Sequence, residues 1–265
     1  MQSIALHFLF SFFIGFIKTN VKVLMKNQAV FFLGFLMLSA VLMISAVLLG
    51  EMPYTNENME TALVGEDKPV VVVDAGHGGE DGGCTSSDGV CEKELNLIVA
   101  KKVRDILTSS GYKVIMTREE DVMLYDMYGD LDDYRGKKKI FDLKNRIKLA
   151  NNSDAEIFLS IHMNKFPREQ YSGLQVYYSD NNDASSKLAE NIRATTVSFL
   201  QPNNNRQIKS SGSSIFVLDR LEMPAVLVEC GFLSNPDETK LLCESAYQDK
   251  LALVIATSIM TFRES

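Results

Sequence analysis

The chain has 265 residues, with 34 acidic against 27 basic side chains for a formal net charge of -7, and 46% of its residues are hydrophobic. That length suits one α/β domain with a sizeable core once any membrane-directed part is set aside, and the acidic balance excludes nucleic acid, which calls for a basic face. Four cysteines without a C-x-x-C pair exclude a cysteine zinc site and a thioredoxin-like motif.

The first apolar stretch, IALHFLFSFFIGFI from Ile4 to Ile17, reads either as a membrane segment or as sequence upstream of a start at Met25, and it carries His7, one of three histidines. Residues 29–50, AVFFLGFLMLSAVLMISAVLLG, bear no charge and match the ~20 apolar residues that cross a bilayer as a helix. Lys18, Lys22 and Lys26 precede this run while Glu51, Glu57 and Glu60 follow it, which places the bulk of the protein outside the cytoplasmic membrane. An uncleaved anchor over residues 1–50 is expected, with secretion as the outcome if the segment is cut. Residues 51–68 are polar and aperiodic and read as a linker, leaving a folded domain over residues 69–265.

Within that domain apolar runs alternate with helical periodicity. Strands are predicted at Val70 to Asp74, Lys113 to Thr117, Glu156 to His162, Leu174 to Tyr178 and Ala225 to Glu229, with a weaker one at Ile215 to Leu218. Helices are predicted at Glu92 to Leu107, Ile140 to Ala150, Ala184 to Leu200, Pro236 to Cys243 and Tyr247 to Phe262. VVVV, IFLSI and AVLV are apolar on both faces, as strands of a mostly parallel sheet covered by helices on each side must be. The expected fold class is therefore α/β, a three-layer α/β/α sandwich. Cys84 and Cys91 flank one short loop, so a disulfide and two free thiols are both open there. Met127 to Lys139, MYGDLDDYRGKKK, reads as a solvated loop or as a partner or substrate loop.

Open α/β sheets form their sites beyond the carboxyl ends of the strands. Three buried strands run into chemically capable side chains there: VVVVDAGH into His77, IFLSIH into His162 and AVLVE into Glu229. A fourth comes from CEKELNLIVAKKVRDIL, whose apolar stripe of Leu95, Val99, Val103 and Ile106 also contains Glu92, whereas Glu94 lines up with Ile98, Lys102 and Asp105. Glu92 should therefore point at the sheet edge. Two histidines, a carboxylate and an open position for water make the ligand set of a catalytic zinc site. Each residue has a plainer reading: a satisfied half-buried histidine, a structural acid paired with an arginine at Glu229, a helix-start acid at Glu92. Asp74 suits an acceptor that orients a ligand histidine from behind or an acid capping the first loop, and Asn164 suits a substrate amide or a structural hydrogen bond. A non-haem iron oxygenase shares the two-histidine, one-carboxylate set, but its H-x-D spacing is absent.

GHGGEDGG, CEKELNL, SIHMN and VECGFLSNPDE, in that order, resemble the zinc-dependent N-acetylmuramoyl-L-alanine amidases of the bacterial cell wall, from about Val70 to the C-terminus. The resemblance implies a Zn2+ ion held by His77, Glu92 and His162, with Glu229 as catalytic acid/base, on a six-stranded, phosphorylase/hydrolase-like sheet. It implies cleavage of the amide between N-acetylmuramic acid and L-alanine of peptidoglycan. The membrane segment, the single catalytic domain and TREEDVML…DLKNRIKLAN look most like the sporulation branch that helps make muramic-δ-lactam in spore cortex. Control would then come from the anchor, the timing of expression or a regulatory protein partner. A zinc peptidase of similar fold and an inactive wall-binding adaptor are the alternative functions.

Overall fold

A computed structural model of the chain describes residues 68–127 and 137–264. The expected membrane segments, the linker before Lys68 and most of the Met127 to Lys139 loop lie outside them. Among the described residues no helix is long and apolar enough to cross a membrane.

The order of elements is β1 (Val70–Ala75), α1 (Glu92–Ser109), β2 (Lys113–Met116), α2 (Lys138–Asn151), β3 (Ile157–Asn164), β4 (Gln175–Tyr178), α3 (Ala184–Phe199), β5 (Lys209–Ser210), a 3-10 turn (Leu218–Arg220), β6 (Ala225–Phe232), α4 (Pro236–Cys243) and α5 (Ser245–Glu264). They build one six-stranded sheet in the order β2-β1-β3-β6-β4-β5. The four strands from β2 to β6 are parallel, whereas β4 runs antiparallel to β6 and β5 follows β4. The sixth strand is Lys209–Ser210 and not Ile215 to Leu218. The latter segment instead leads into the 3-10 turn, and Val217 and Leu218 pack against the sheet with Leu221. Its apolar residues signalled burial, and burial does not require a strand.

β-branched residues dominate β1, and their stiff side chains favour the pleated, two-sided packing of a central strand. The alternation of faces sorts the core. One face presents Val71, Val73, Ile157, Leu159, Ile161, Val226 and Val228 to a large cluster with Leu95, Val99 and Val103 of α1, Leu188 and Ile192 of α3, and Leu251, Ile255 and Ile259 of α5. Fully burying each such aliphatic side chain contributes roughly 1.5–3 kcal/mol. The opposite face is thinner: Val72, Phe158, Ala225 and Leu227 meet Ala150 of α2 together with Leu218 and Leu221. Beyond this smaller cluster the same face turns polar, and it does so at the carboxyl edge.

A buried ionic network fastens α2 beneath that edge. Arg146 donates to Asp74 at 2.5 Å and to its own helix neighbour Asp142 at 2.8 Å, with all three side chains almost fully buried. Asp74 also accepts from Thr117 at 2.7 Å and Ser160 at 2.6 Å, so its carboxylate is filled by β1's two neighbours and by α2. Removing one member of such a set leaves an uncompensated buried charge. Burial alone would raise the Asp74 carboxyl, but Arg146, Ser160, His162 and Thr117 outweigh it and hold the group at about 2.

Because that value lies below the ordinary 3.8, Asp74 contributes stability that is complete above the ordinary value and lost as pH falls through about 2. By pH 2 the loss should reach about 2 kcal/mol. Urea unfolding of the metal-free protein at pH 5 and pH 2 checks it: Asp74→Asn, though less stable throughout, should be spared this increment. Equal acid losses in both proteins would detach the sensitivity from Asp74.

Candidate metal centre

The loop after β1 is bent by necessity. His77 has φ 62, in the left-handed region where a non-glycine residue is strained, and it is flanked by Gly78 at φ 137 and Gly79 at φ 55. Space explains the glycines as much as conformation does. A Cβ on Gly76 would lie 2.1 Å from His162 Nε2, and one on Gly83 would lie 2.5 Å from Glu92 Oε2 and 2.8 Å from the His77 ring. Only hydrogen fits at either position.

The loop is pinned through its carbonyls. Arg118 donates to Ala75 O at 2.8 Å and Gly76 O at 3.0 Å, Arg146 to Ala75 O at 2.9 Å and His77 O at 2.7 Å, and Asn96 to Gly76 O at 3.1 Å. Two buried guanidinium groups thus hold a strained turn in place.

Glu92 opens α1 and is 3% exposed, while Glu94 faces solvent, as the helical stripe requires. Its Oε1 lies 2.8 Å from His162 Nδ1 and 3.2 Å from His77 Nε2, and it accepts from Met163 N at 3.2 Å and Asn96 Nδ2 at 3.3 Å. Its Oε2 accepts from Cys84 N at 2.8 Å. The imidazole centroids are 4.9 Å apart with their planes at 74°. Burial favours a neutral Glu92, but His162 and His77 outweigh it and hold the carboxyl well below the usual range. At His77 burial disfavours the charge, and Asp81 and Glu92 overcome it to raise the ring to about 9.

His162 and Glu229 are register partners on β3 and β6, so they share the polar face. Neither ends its strand. β3 continues to Asn164 and β6 to Phe232 with a register shift between His162 and Asn164, because backbone pairing outlasts the apolar run on which the sequence boundary rested. Glu229 Oε2 is buried with no hydrogen-bond partner among the described residues. Burial raises this carboxyl to about 7, with His162 opposing and Glu92 assisting. Asn164 O accepts from Leu233 N at 2.7 Å, while its half-buried side chain makes no hydrogen bond among the described residues.

Of its two expected places, behind a ligand histidine or capping the first loop, Asp74 does not take the first. It contacts neither imidazole and acts one step away, through Arg146. The acceptor for His77 Nδ1 is Asp81, at 2.9 Å. Asp81 sits four residues on in an irregular loop, where no periodicity reports which way a side chain points. The thiols of Cys84 and Cys91 are both free. Cys91 is bridged opposite Thr85, one residue out of step with Cys84, which turns the two side chains to opposite sides of the hairpin.

Among the described residues His77, Glu92 and His162 form a group whose donor atoms all lie within 4.8 Å of one another, able to hold a metal ion. The donor set fits a divalent cation. Two nitrogens and a carboxylate oxygen converge, the distal nitrogen of His77 is oriented by a carboxylate as metal-bound imidazoles require, and the unpartnered Glu229 oxygen stands beside them.

The N-acetylmuramoyl-L-alanine amidase family model (Amidase_3) matches residues 71–261. The germination-specific N-acetylmuramoyl-L-alanine amidase of Bacillus subtilis is 36% identical over 193 residues, which are 73% of this chain and 79% of that one. The CwlD amidase of Clostridioides difficile, solved in complex with the GerS lipoprotein, shares 37% identity with a TM-score of 0.69, covering 74% of this chain and 99% of that one. The catalytic domain of the amidase CwlV from Bacillus (Paenibacillus) polymyxa shares 32% identity with a TM-score of 0.61, over 74% and 98% of the respective chains.

Asp81→Ala should leave the fold intact and weaken divalent-metal binding about 10- to 100-fold, measured by competition with a chelating dye. Unchanged affinity would remove Asp81 from the centre.

Proposed function

The chain belongs to the N-acetylmuramoyl-L-alanine amidase family, and on that premise we propose that it cleaves the amide between N-acetylmuramic acid and L-alanine with a zinc ion held by His77, Glu92 and His162. The observation that carries this reading is the pairing of two carboxylates in one site: Glu92, surrounded by donors and held charged, and Glu229, whose Oε2 is buried without a hydrogen-bond partner among the described residues. When bound, zinc supplies a Lewis acid that polarises a carbonyl and brings the pKa of water to about 7.

Glu229 is the proton carrier. Its carboxyl, raised to about 7 by burial, is divided between charged and neutral forms near neutral pH, where a general acid/base is most effective. Its Oε2 takes a proton from the attacking water and delivers it to the nitrogen of the departing L-alanine, so that one side chain serves both halves of the hydrolysis. Asp81 keeps the proton of His77 on Nδ1 and leaves Nε2 as the donor atom, while the arginine-pinned loop prevents the imidazole from turning away. Asn164, two residues beyond His162 with its amide free, binds the peptide of the substrate.

We propose further that the uncharged apolar run at 29–50 anchors the protein to the membrane, or directs its secretion if cleaved, so that the catalytic domain over residues 69–265 works on the extracytoplasmic side. Similarity to the germination-specific enzyme supports a role in removing stem peptides during formation of muramic-δ-lactam in spore cortex. Similarity to a relative solved with a lipoprotein supports control by a protein partner on the same side of the membrane.

Incubating the protein with purified peptidoglycan, with and without added zinc, should release fragments bearing new L-alanine amino termini only when zinc is present. Glu229→Gln should retain the metal and lose about 10²- to 10⁴-fold in turnover, whereas His162→Ala should lose both. Wild-type turnover in the Gln variant would take Glu229 out of the chemistry.

A further inference from the structure

The polar face does not end at Glu229. Gln175 of β4 is the register partner of Glu229, and Tyr177 of β4 that of Leu227, so both extend the same face one strand further. Tyr177 senses groups on either side: burial and Glu229 raise its hydroxyl while Arg206 lowers it.

Arg206 lies in the segment between α3 and β5. Its Nε donates to Ser172 O at 2.7 Å, its Nη1 lies 3.5 Å from Gln175 Oε1, and its guanidinium rests 4.4 Å from the Phe232 ring centroid and 5.7 Å from that of Tyr171. One backbone bond and two aromatic rings fix the plane of the group. Among the described residues they leave Nη2 without a partner, and Arg206 makes no ion pair there. Glu238, which Arg206 stabilises at longer range, is committed to the amides of Gly173 and Phe232, both at 2.7 Å. Lys209, the register partner of Tyr177 with its ammonium 5.9 Å from that ring, is a second cation on this face with no ion pair among the described residues.

In a chain of net charge -7, two unpaired cations on one shelf make a local site for an anion. A stacked, half-buried guanidinium with a free edge is preorganised for a carboxylate. Two strand spacings separate β3 from β4, roughly 10 Å. From Glu229 on β6 to Gln175 on β4 is only one of those spacings, roughly 5 Å, and an extended peptide advancing about 3.5 Å per residue crosses it in about two residues, the position of the first carboxylate past L-alanine.

We propose that Arg206, assisted by Lys209, binds the free α-carboxylate of the residue that follows L-alanine in the stem peptide, and so makes the enzyme discriminate stems carrying that acid from stems in which it is amidated. The inference rests on the amidase reading and adds to it a specificity residue two strands away from the metal ligands.

Glycan strands bearing L-Ala-D-Glu or L-Ala-D-isoglutamine stems test it with the zinc-loaded full chain. Wild type should favour the acid form by about 10- to 100-fold in kcat/KM, the range expected for a hydrogen bond between charged groups. Arg206→Ala should erase the preference through a higher KM on the acid stem alone, and Arg206→Lys should restore part of it. Turnover by wild type with no preference, or an equal fall on both stems in Arg206→Ala, would overturn the carboxylate site and leave the amidase standing. Turnover of neither stem by wild type would overturn the amidase reading and this inference with it.

Discussion

A single buried oxygen, Glu92 Oε1, is the point on which the site depends. Four groups converge on it: His77 Nε2 and His162 Nδ1 lie against it, and the Met163 amide and the Asn96 side chain donate to it. A carboxylate removed from water costs several kcal/mol unless its lone pairs are filled, so the start of α1, the loop after β1 and the end of β3 have one arrangement that satisfies it. The glycines are consequences of that arrangement. Gly76 and Gly83 are positions where the rings and the carboxylate already occupy the space a side chain would need.

The strain at His77 is held from below. Arg118 and Arg146 direct their donors to the carbonyls of residues 75–77 and not to acids alone, and Arg146 is itself held by Asp74 and Asp142. A ligand at positive φ would relax if its loop were free to turn. Tying that loop to the sheet and to α2 makes the centre rigid before any ion arrives, which is the usual requirement for a precise metal or catalytic constellation.

Much of this was legible in the chain because the informative signals were periodic. The unbroken apolar runs of β1, β3 and β6 placed His162 and Glu229 on identifiable strands, and the helical stripe separated Glu92 from Glu94 without any structure. What escaped lies where periodicity fails. Asp81 sits in an irregular loop, and Asp74 reads in the sequence as a support for a ligand histidine or a cap on the first loop, because its link to Arg146 spans 72 positions of sequence and leaves no local trace. Two-residue β5 carries no pattern, whereas the apolar stretch around Ile215 imitated one. Arg206 gave no signal at all, since its role depends on β4 running antiparallel to β6 and bringing Gln175 beside Glu229.

The two glutamates of the site show how environment divides labour between identical side chains. Glu92 is the more completely buried, yet it is held charged, because donors surround both of its oxygens. Glu229, on β6, has a buried Oε2 with no donor among the described residues, and its carboxyl rises to about 7. Had the donors been shared evenly, neither group would suit its role, since a half-neutral Glu92 would be a poor ligand and a fully charged Glu229 a poor acid. Pairs of titratable groups driven apart in this way mark acid/base assignments in enzymes generally. Here the separation follows from backbone geometry, because Glu92 opens a helix against the Met163 and Cys84 amides, while Glu229 sits inside a strand whose own amides are committed to the sheet.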